Sequence, residues 1–155
     1  MNNFAGVRID GSNATIIGEK PGEFLADRNS IARVWMDHGA WPLATLLLYV
    51  DQTGDYDILL EKNTYFRDTR FSRTYEQDCA WEDNHGNCLK DKHGNIYRGS
   101  ILEHILIQHL VQFFNVGEHN IIRLEDADWN DGLDMAKERG ESVAFMSFYG
   151  GNLIA

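Results

Sequence analysis

The chain has 155 residues, of which 43% are hydrophobic and 12% aromatic, and it carries a formal net charge of −10. This length allows one domain with its own hydrophobic core. The negative charge argues against nucleic acid and anionic membranes as partners, because both require a basic face. No stretch approaches the ~20 apolar residues of a transmembrane helix, and the N-terminus lacks a signal-peptide pattern. Two cysteines are too few for a disulfide framework, which indicates a cytoplasmic protein.

The first part of the chain contains scattered glycines and no sustained hydrophobic period. Residues 1–30 are therefore predicted to form an extended approach segment with a short strand near residues 14–17. Pro42 suits the first position of a helix, and apolar residues follow it, so residues 41–52 are predicted to be helical. The sequence Thr53-Gly54-Asp55 is expected to end that helix, and residues 56–63 are expected to form a second short one.

The second half of the chain alternates polar loops with two clear helices. The sequence HGN occurs twice between residues 76 and 99, which predicts a surface hairpin or loop. Ser100 and Glu103 fit a capping box, so a helix is predicted from Ile101 to Val116, ending before Gly117. Its apolar residues cover nearly every face, which is typical of a helix buried on several sides. A last helix is predicted over residues 142–154, and the pattern as a whole indicates a mainly α architecture with long loops.

Residues 124–134 read LEDADWNDGLD and contain five acidic side chains in eleven positions. A calcium loop starting at Asp126 would need glycine at its sixth position and glutamate at its twelfth, where this chain has Asp131 and Lys137. A solvated turn and a sugar site with a catalytic acid both remain open for this acidic stretch. Glycosidic bond cleavage needs a protonated acid, and the neighbouring Asp128 and Trp129 would both raise the pKa of Asp131.

A zinc site is the second metal possibility, and it would use four side chains between residues 79 and 93: Cys79, His85, Cys88 and His93. The ligand types are suitable, but the spacings do not match the common zinc patterns, which favours surface loop residues. His104 and His109 lie within the predicted buried helix. They are expected to be hydrogen-bonded groups of the core or of a pocket.

Three segments together resemble one enzyme family. They are DWNDG at residues 128–132 followed by GES at residues 140–142, WMDHGAWPLATLLLYVDQTGDYDILLE at residues 35–61, and GSILEHILIQHL at residues 99–110. In this order they resemble the catalytic domain of the inverting glycoside phosphorylases of glycoside hydrolase family 94, the cellobiose, cellodextrin and chitobiose phosphorylases. The resemblance covers nearly the whole chain from about Arg33 onward.

The resemblance implies that residues 31–155 form part of an (α/α)6 barrel and that a β-linked di- or oligosaccharide is cleaved by inorganic phosphate with inversion to give a sugar 1-phosphate. It implies Asp131 as general acid, and sugar contacts at six other positions: Asp37, Trp41, Asp128, Trp129, Asn130 and Glu141. Phosphate is a co-substrate, and neither a metal nor a resident cofactor is implied. Family members are often dimers, so a homodimer or self-association through an incomplete barrel is expected.

The chain also departs from the family pattern. His38 stands where the family usually has a second aspartate. The family's upstream arginine–aspartate motif is matched only weakly, at Asp27 and Arg28. The chain is several-fold shorter than these enzymes, so a fragment is expected. Two alternatives remain beside phosphorolysis. One is an inverting hydrolase on the same barrel, which would need a carboxylate base, and the other is an inactive glycan-binding piece.

Overall fold

The computed structural model describes residues 2–14, 16–18, 24–25, 33–126 and 136–155. Within this part, three α-helices are present: α1 (Asp37–Thr53), α2 (Ile101–Phe114) and α3 (Val143–Ile154). Six short strands form three antiparallel two-stranded sheets: β1 (Ile16–Ile17) with β2 (Phe24–Leu25), β3 (Lys62–Thr64) with β6 (Arg98–Ser100), and β4 (Arg70–Phe71) with β5 (Glu76–Gln77). Single 3-10 turns occupy Asn2–Gly6, Asp57–Leu60 and Asp83–His85. None of the described helices is long and apolar enough to cross a membrane.

Helix α1 begins four residues before the predicted start, at Asp37, and therefore contains Pro42 in its interior. Proline has no N–H, so the carbonyl of His38 one turn earlier loses its helical donor. The side-chain amide of Asn13 donates to that carbonyl instead, at 3.3 Å. At the other end, Gly54 adopts a left-handed φ of +69° and its N–H donates to Val50 O, so the predicted stop at this glycine is confirmed.

Serine caps open the other two helices, as the sequence predicts. Ser100 Oγ accepts from Glu103 N at 3.1 Å, and Ser142 Oγ accepts from Phe145 N at 3.2 Å. The Glu103 carboxylate accepts instead from the hydroxyl groups of Tyr65 and Tyr97, at 2.8 and 2.9 Å. Helix α2 ends at Phe114, two residues before the predicted end at Val116.

The segments between α1 and α2 are less helical than predicted. The predicted helix over residues 56–63 is a 3-10 turn followed by β3, which pairs with β6 just before α2. The second HGN forms a tight turn, in which Asp91 Oδ1 accepts from His93 N and Asn95 N and Gly94 has φ +84°. A bridge between Lys90 and Ile96 closes this turn, so the predicted surface hairpin is confirmed there.

The three helices contact one another, and each of two core clusters joins several segments. One cluster places Phe4 of the N-terminal turn between α1 and α2, with Leu43, Leu46, Val50, Ile101 and Ile105. The other joins the start of α1 to α3 and contains Met36, Ala40, Ile122, Phe145 and Tyr149. Residues near the N-terminus are thus part of the core, and the predicted boundary between residues 30 and 31 lies outside the described part.

The prediction of a mainly α fold that forms part of an (α/α)6 barrel is wrong. The described chain has three helices joined by short antiparallel strand pairs and irregular segments, with no ring of paired helices. The physical reason is visible in α2, where apolar residues on every face suggested neighbours on every side. Instead, Leu102, Leu106, Leu110 and Phe114 are exposed, while the polar side chains of His104, Gln108, His109 and Gln112 are buried.

Candidate functional site

The structure describes three of the seven predicted site residues. Asp37, Trp41 and Glu141 lie within the described part, whereas Asp128, Trp129, Asn130 and Asp131 lie outside it. The chain is described up to Asp126 and again from Ala136 onward, so both flanks of the acidic stretch are visible.

The two flanks of the acidic stretch pair with each other. Leu124 N donates to Gly140 O at 2.8 Å, and Ser142 N donates to Ile122 O at 2.9 Å. The Arg123 guanidinium also donates to Glu138 O at 3.2 Å. We call the paired residues 122–126 and 136–142 the base of the acidic stretch. These hydrogen bonds hold the two described flanks of the acidic stretch side by side.

A buried ion pair lies in the base. Glu125 is 2% exposed, and its carboxylate accepts two hydrogen bonds from the Arg73 guanidinium, one of them at 2.9 Å from Nε to Oε1. Burial opposes the charge of Arg73, but hydrogen bonding and attraction by Glu125 outweigh it, so the pKa of Arg73 is raised above its ordinary value. Arg73 N also donates to Asp10 Oδ2 at 2.7 Å. This pair connects the acidic stretch to the N-terminal segment and to the loop after β4.

Asp126 ties the same base to the start of α1. One carboxylate oxygen accepts from Val34 N at 2.8 Å, across 92 residues of sequence, and the other lies 2.6 Å from Lys137 Nζ. The hydrogen bond to Asp126 raises the pKa of Lys137, and the ammonium also lies over the ring of Tyr75 at 5.0 Å. Asp126 therefore lies beside Val34, which directly precedes the WMDH segment at residues 35–38.

Asp37 occupies the first turn of α1, where the helix dipole favours a carboxylate. Its Oδ1 atom is buried and has no hydrogen-bond partner among the described residues, while His38 Nε2 lies 3.8 Å away. Burial lowers the pKa of His38, against the opposing attraction of Asp37. The His38 ring stacks on Trp35, with ring centroids 5.9 Å apart. A buried carboxylate oxygen without a hydrogen-bond donor is costly, so Asp37 Oδ1 is an unsatisfied acceptor in the described part of the chain.

Tyr149 fixes the backbone around this acceptor. Its hydroxyl donates to Met36 O at 2.6 Å, and the ring is fully buried between α1 and α3. Any Cβ at Gly39 would collide with the Tyr149 hydroxyl, so glycine is required for this close approach. Burial raises the pKa of Tyr149 far above its ordinary value, so the hydroxyl stays protonated and keeps its role as donor.

Trp41 and Glu141 have different surroundings. The Trp41 indole is 54% exposed, packs edge-on against Phe148 at 4.9 Å, and borders a cavity of about 410 Å³. The Glu141 carboxylate accepts from His119 N at 3.0 Å and lies 2.6 Å from His119 Nδ1. These hydrogen bonds lower the pKa of Glu141 and raise the pKa of His119. Glu141 is already engaged in holding a turn, and its role as a sugar contact stays a prediction.

The histidines of α2 are core groups, as predicted. His109 Nδ1 lies 2.9 Å from Ile105 O, and its Nε2 lies 3.1 Å from Asn152 Nδ2, which also donates to Ala40 O. Burial lowers the pKa of His109, which keeps the ring neutral and able to accept from Asn152. His104 stacks flat on Tyr65 with centroids 3.8 Å apart. Among the described residues, no group of three histidine, cysteine or acidic side chains is placed to hold a metal ion.

A larger cavity of about 710 Å³ lies beside β4, and its lining includes Arg8, Arg67 and Arg70. Arg8 pairs with Asp68 at 2.9 Å, and Arg67 pairs with Asp78 at 3.3 Å. Carboxylates therefore neutralise two of the three guanidinium groups, and the cavity does not concentrate positive charge as an anion site would.

Sequence reasoning did not find the groups that position the base. Arg73 lies in the segment FSRTYEQ, which has no recognisable motif, and its partner Glu125 is 52 residues away. The acidic spacing assigns Asp126 a role only as the first ligand of a calcium loop, whereas its carboxylate accepts from Val34 N and pairs with Lys137. The sequence signal for these partners is the crowding of carboxylates. Crowded carboxylates repel one another, so cations from elsewhere in the chain are expected beside them, but the sequence does not identify which ones.

Comparison with known proteins does not identify the chain. No family model matches it, and no curated protein matches it. The resemblance to the glycoside phosphorylases therefore stands on the motifs named above.

Proposed function

We propose that the protein binds a β-linked di- or oligosaccharide at the start of α1 and that the acidic stretch supplies the acid for its cleavage by inorganic phosphate. The observation that carries this proposal is the buried Asp37 oxygen without a hydrogen-bond donor, three residues after Val34, whose N–H donates to Asp126. A sugar hydroxyl satisfies such an acceptor. The second line of support is the resemblance of DWNDG and WMDHGAWP to the phosphorylase motifs.

The proposed reaction assigns each group one task. Asp131 gives its proton to the glycosidic oxygen as the bond from that oxygen to the anomeric carbon breaks. A phosphate oxygen attacks the anomeric carbon from the opposite face, so a β-linked substrate yields an α-sugar 1-phosphate and a free sugar. Asp128, Trp129 and Asn130 hold the sugar at the cleavage point, and Asp37 holds a hydroxyl of the same sugar. Phosphate replaces the activated water of a hydrolase, so no second catalytic carboxylate is needed.

The proposal includes the binding partners, the cellular compartment and the self-association of the protein. Oligosaccharide and phosphate are the small-molecule partners, and no nucleic acid or membrane partner is proposed because the net charge is −10. The two cysteines Cys79 and Cys88 are both free, which suits a reducing cytoplasmic compartment. Self-association as a homodimer is supported by the exposed leucines of α2, which are unusual on a monomer surface.

The test compares turnover of β-linked disaccharides with and without inorganic phosphate. We expect sugar 1-phosphate only when phosphate is present, and a fall of at least about 100-fold in Asp131→Asn, because general acid catalysis contributes 10²–10⁴-fold. Asp37→Asn is expected to raise KM more than it lowers kcat, since it removes a binding contact. Asp51→Asn changes an exposed carboxylate of α1 outside the site and is the matched control.

Three results would contradict the proposal. Free sugars formed without phosphate would indicate a hydrolase. Sugar binding without turnover would indicate a glycan-binding protein. Full activity in Asp131→Asn would exclude this residue as the acid.

A further inference from the structure

A cavity of about 410 Å³ lies between the N-terminal turn and α1. Its floor includes the buried side chains of Phe4 and Leu46. Its rim includes Trp41, Thr45 and Tyr49, which are spaced four residues apart and therefore share one face of α1. Eight residues of helix separate the first and last of these three, a distance of about 12 Å.

The two aromatic side chains of this rim are exposed yet held in place. Trp41 is 54% and Tyr49 is 42% exposed. The Trp41 ring is supported on one side by Phe148, and the Tyr49 hydroxyl donates to Asp55 Oδ2 at 2.8 Å. Because their positions are fixed before binding, stacking a ligand on them costs little conformational entropy.

Polar groups of the same cavity have unused hydrogen-bonding capacity. Asn3 and Thr45 are exposed, and within the described part neither their amide nor their hydroxyl takes part in a hydrogen bond. No lysine or arginine lies among the described residues that line the cavity. The combination of flat apolar faces and neutral donors and acceptors suits a neutral polyhydroxy ligand, and it gives an anion nothing to pair with.

We propose that this cavity is a binding subsite for further pyranose units of an oligosaccharide, separate from the cleavage point. Asp37 lies one turn before Trp41 on α1, so a sugar chain held at Asp37 continues along the helix toward Tyr49. The pyranose faces lie against Trp41 and Tyr49, and the hydroxyl groups reach Asn3 and Thr45. This inference rests on the proposed function for the direction of the chain, and it makes oligosaccharides of four or more units the preferred ligands.

The test measures the affinity of cello-oligosaccharides with two, four and six units by calorimetry, for the wild-type protein and for Tyr49→Ala. We expect the wild type to bind the four-unit and six-unit sugars about tenfold more tightly than the disaccharide. We expect Tyr49→Ala to lose most of that difference, because a well-placed aromatic contact accounts for roughly tenfold in affinity. Tyr49→Phe keeps the ring and should keep most of the affinity.

Tyr56→Ala is the matched control, because Tyr56 is a 67% exposed aromatic residue outside the cavity. Thermal melting of each variant checks that the fold is intact. Equal affinity for all three sugars, equal losses in Tyr49→Ala and Tyr56→Ala, or no binding of any sugar would overturn the subsite. So would a change of oligomeric state in Tyr49→Ala without a change in sugar affinity, since a second copy would then occupy the cavity.

This experiment also separates the subsite from the proposed reaction. Length-dependent binding without sugar 1-phosphate formation would leave the subsite standing and refute phosphorolysis. Phosphorolysis with no dependence on chain length would do the reverse.

Discussion

Two arginine–carboxylate pairs near the acidic stretch have the same chemistry and opposite surroundings. Arg73 binds Glu125 through two guanidinium nitrogens, and Arg139 binds Glu118 in the same way at 2.9 and 3.0 Å. The side chains of the first pair are 10% and 2% exposed, whereas those of the second are 79% and 59% exposed. Water screens the charges of the exposed pair and competes for its hydrogen bonds. In the buried pair, water cannot replace a partner that is removed, so the remaining charge is left unsatisfied.

This difference separates a structural anchor from a surface contact. The buried pair connects the loop after β4 to the base of the acidic stretch, and Arg73 also holds Asp10 through its backbone N–H. A buried pair is not a strong source of net stability, because desolvation offsets its attraction. Its effect is on the arrangement of the segments, because separating them would leave a buried charge without its partner.

Arg73→Met is expected to have the largest effect. Removing the guanidinium leaves the Glu125 carboxylate buried without its cation, which should lower the free energy of unfolding by about 3–5 kcal/mol. Urea unfolding followed by circular dichroism measures this change. The double variant Arg73→Met with Glu125→Leu should recover most of the loss, because the unpaired charge is gone. A loss below about 1 kcal/mol in the single variant would show that Glu125 reaches solvent.

The pair formed by His119 and Glu141 lies between these extremes and adds a pH dependence. The raised pKa of His119 means that its contribution to stability is complete below its ordinary pKa and is lost as pH rises through the raised value. The lowered pKa of Glu141 means that its contribution is present above its ordinary pKa and is lost as pH falls through the lowered value.

The two contributions coincide between the ordinary pKa values of the two groups, roughly pH 4.5–6.5. Unfolding free energies of the wild type and of Glu141→Gln should therefore differ most in this window. The difference should vanish as pH falls through the lowered pKa of Glu141, and it should shrink but persist as pH rises through the raised pKa of His119. Proton NMR should show the pKa of His119 returning toward its ordinary value in Glu141→Gln. An unchanged His119 titration would mean that the hydrogen bond between the two side chains does not form.

Arg139→Met is expected to have the smallest effect. An exposed ion pair contributes little after screening and side-chain entropy, so the free energy of unfolding should change by about 0.5 kcal/mol or less. The same urea experiment makes this variant the control for Arg73→Met, because both remove one arginine from a two-bond pair. A loss as large as that of Arg73→Met would remove burial as the cause of the difference.

Local features of the fold were predictable from the sequence because nearest neighbours determine them. Ser100 and Ser142 cap helices, Gly54 ends one, and the second HGN forms a turn, each through contacts within a few residues. The preference of proline for the first helical position predicts a start at residue 41, whereas α1 begins at Asp37 and Pro42 lies inside it. Its missing hydrogen bond is compensated by Asn13, a residue 29 positions earlier that no local pattern could identify.

The arrangement of the helices and the residues that hold the acidic stretch depend on tertiary contacts. These contacts join residues far apart in the sequence, so local patterns do not predict them. The apolar residues of α2 indicated burial, but they do not say which face is covered; in this chain a row of histidine and glutamine is covered and a row of leucine is not. The partners of Glu125 and Asp126 lie at Arg73 and Val34, far away in sequence. The cluster of carboxylates predicted a site at this place, and only the tertiary contacts define what holds it.

The most direct test of the proposed chemistry is the phosphorus NMR spectrum of the protein incubated with cellobiose or cellotetraose and inorganic phosphate. The proposal predicts a new signal for an α-sugar 1-phosphate that grows at the expense of inorganic phosphate and is absent with Asp131→Asn. A spectrum in which inorganic phosphate stays unchanged, whether or not the sugar is cleaved, would contradict it.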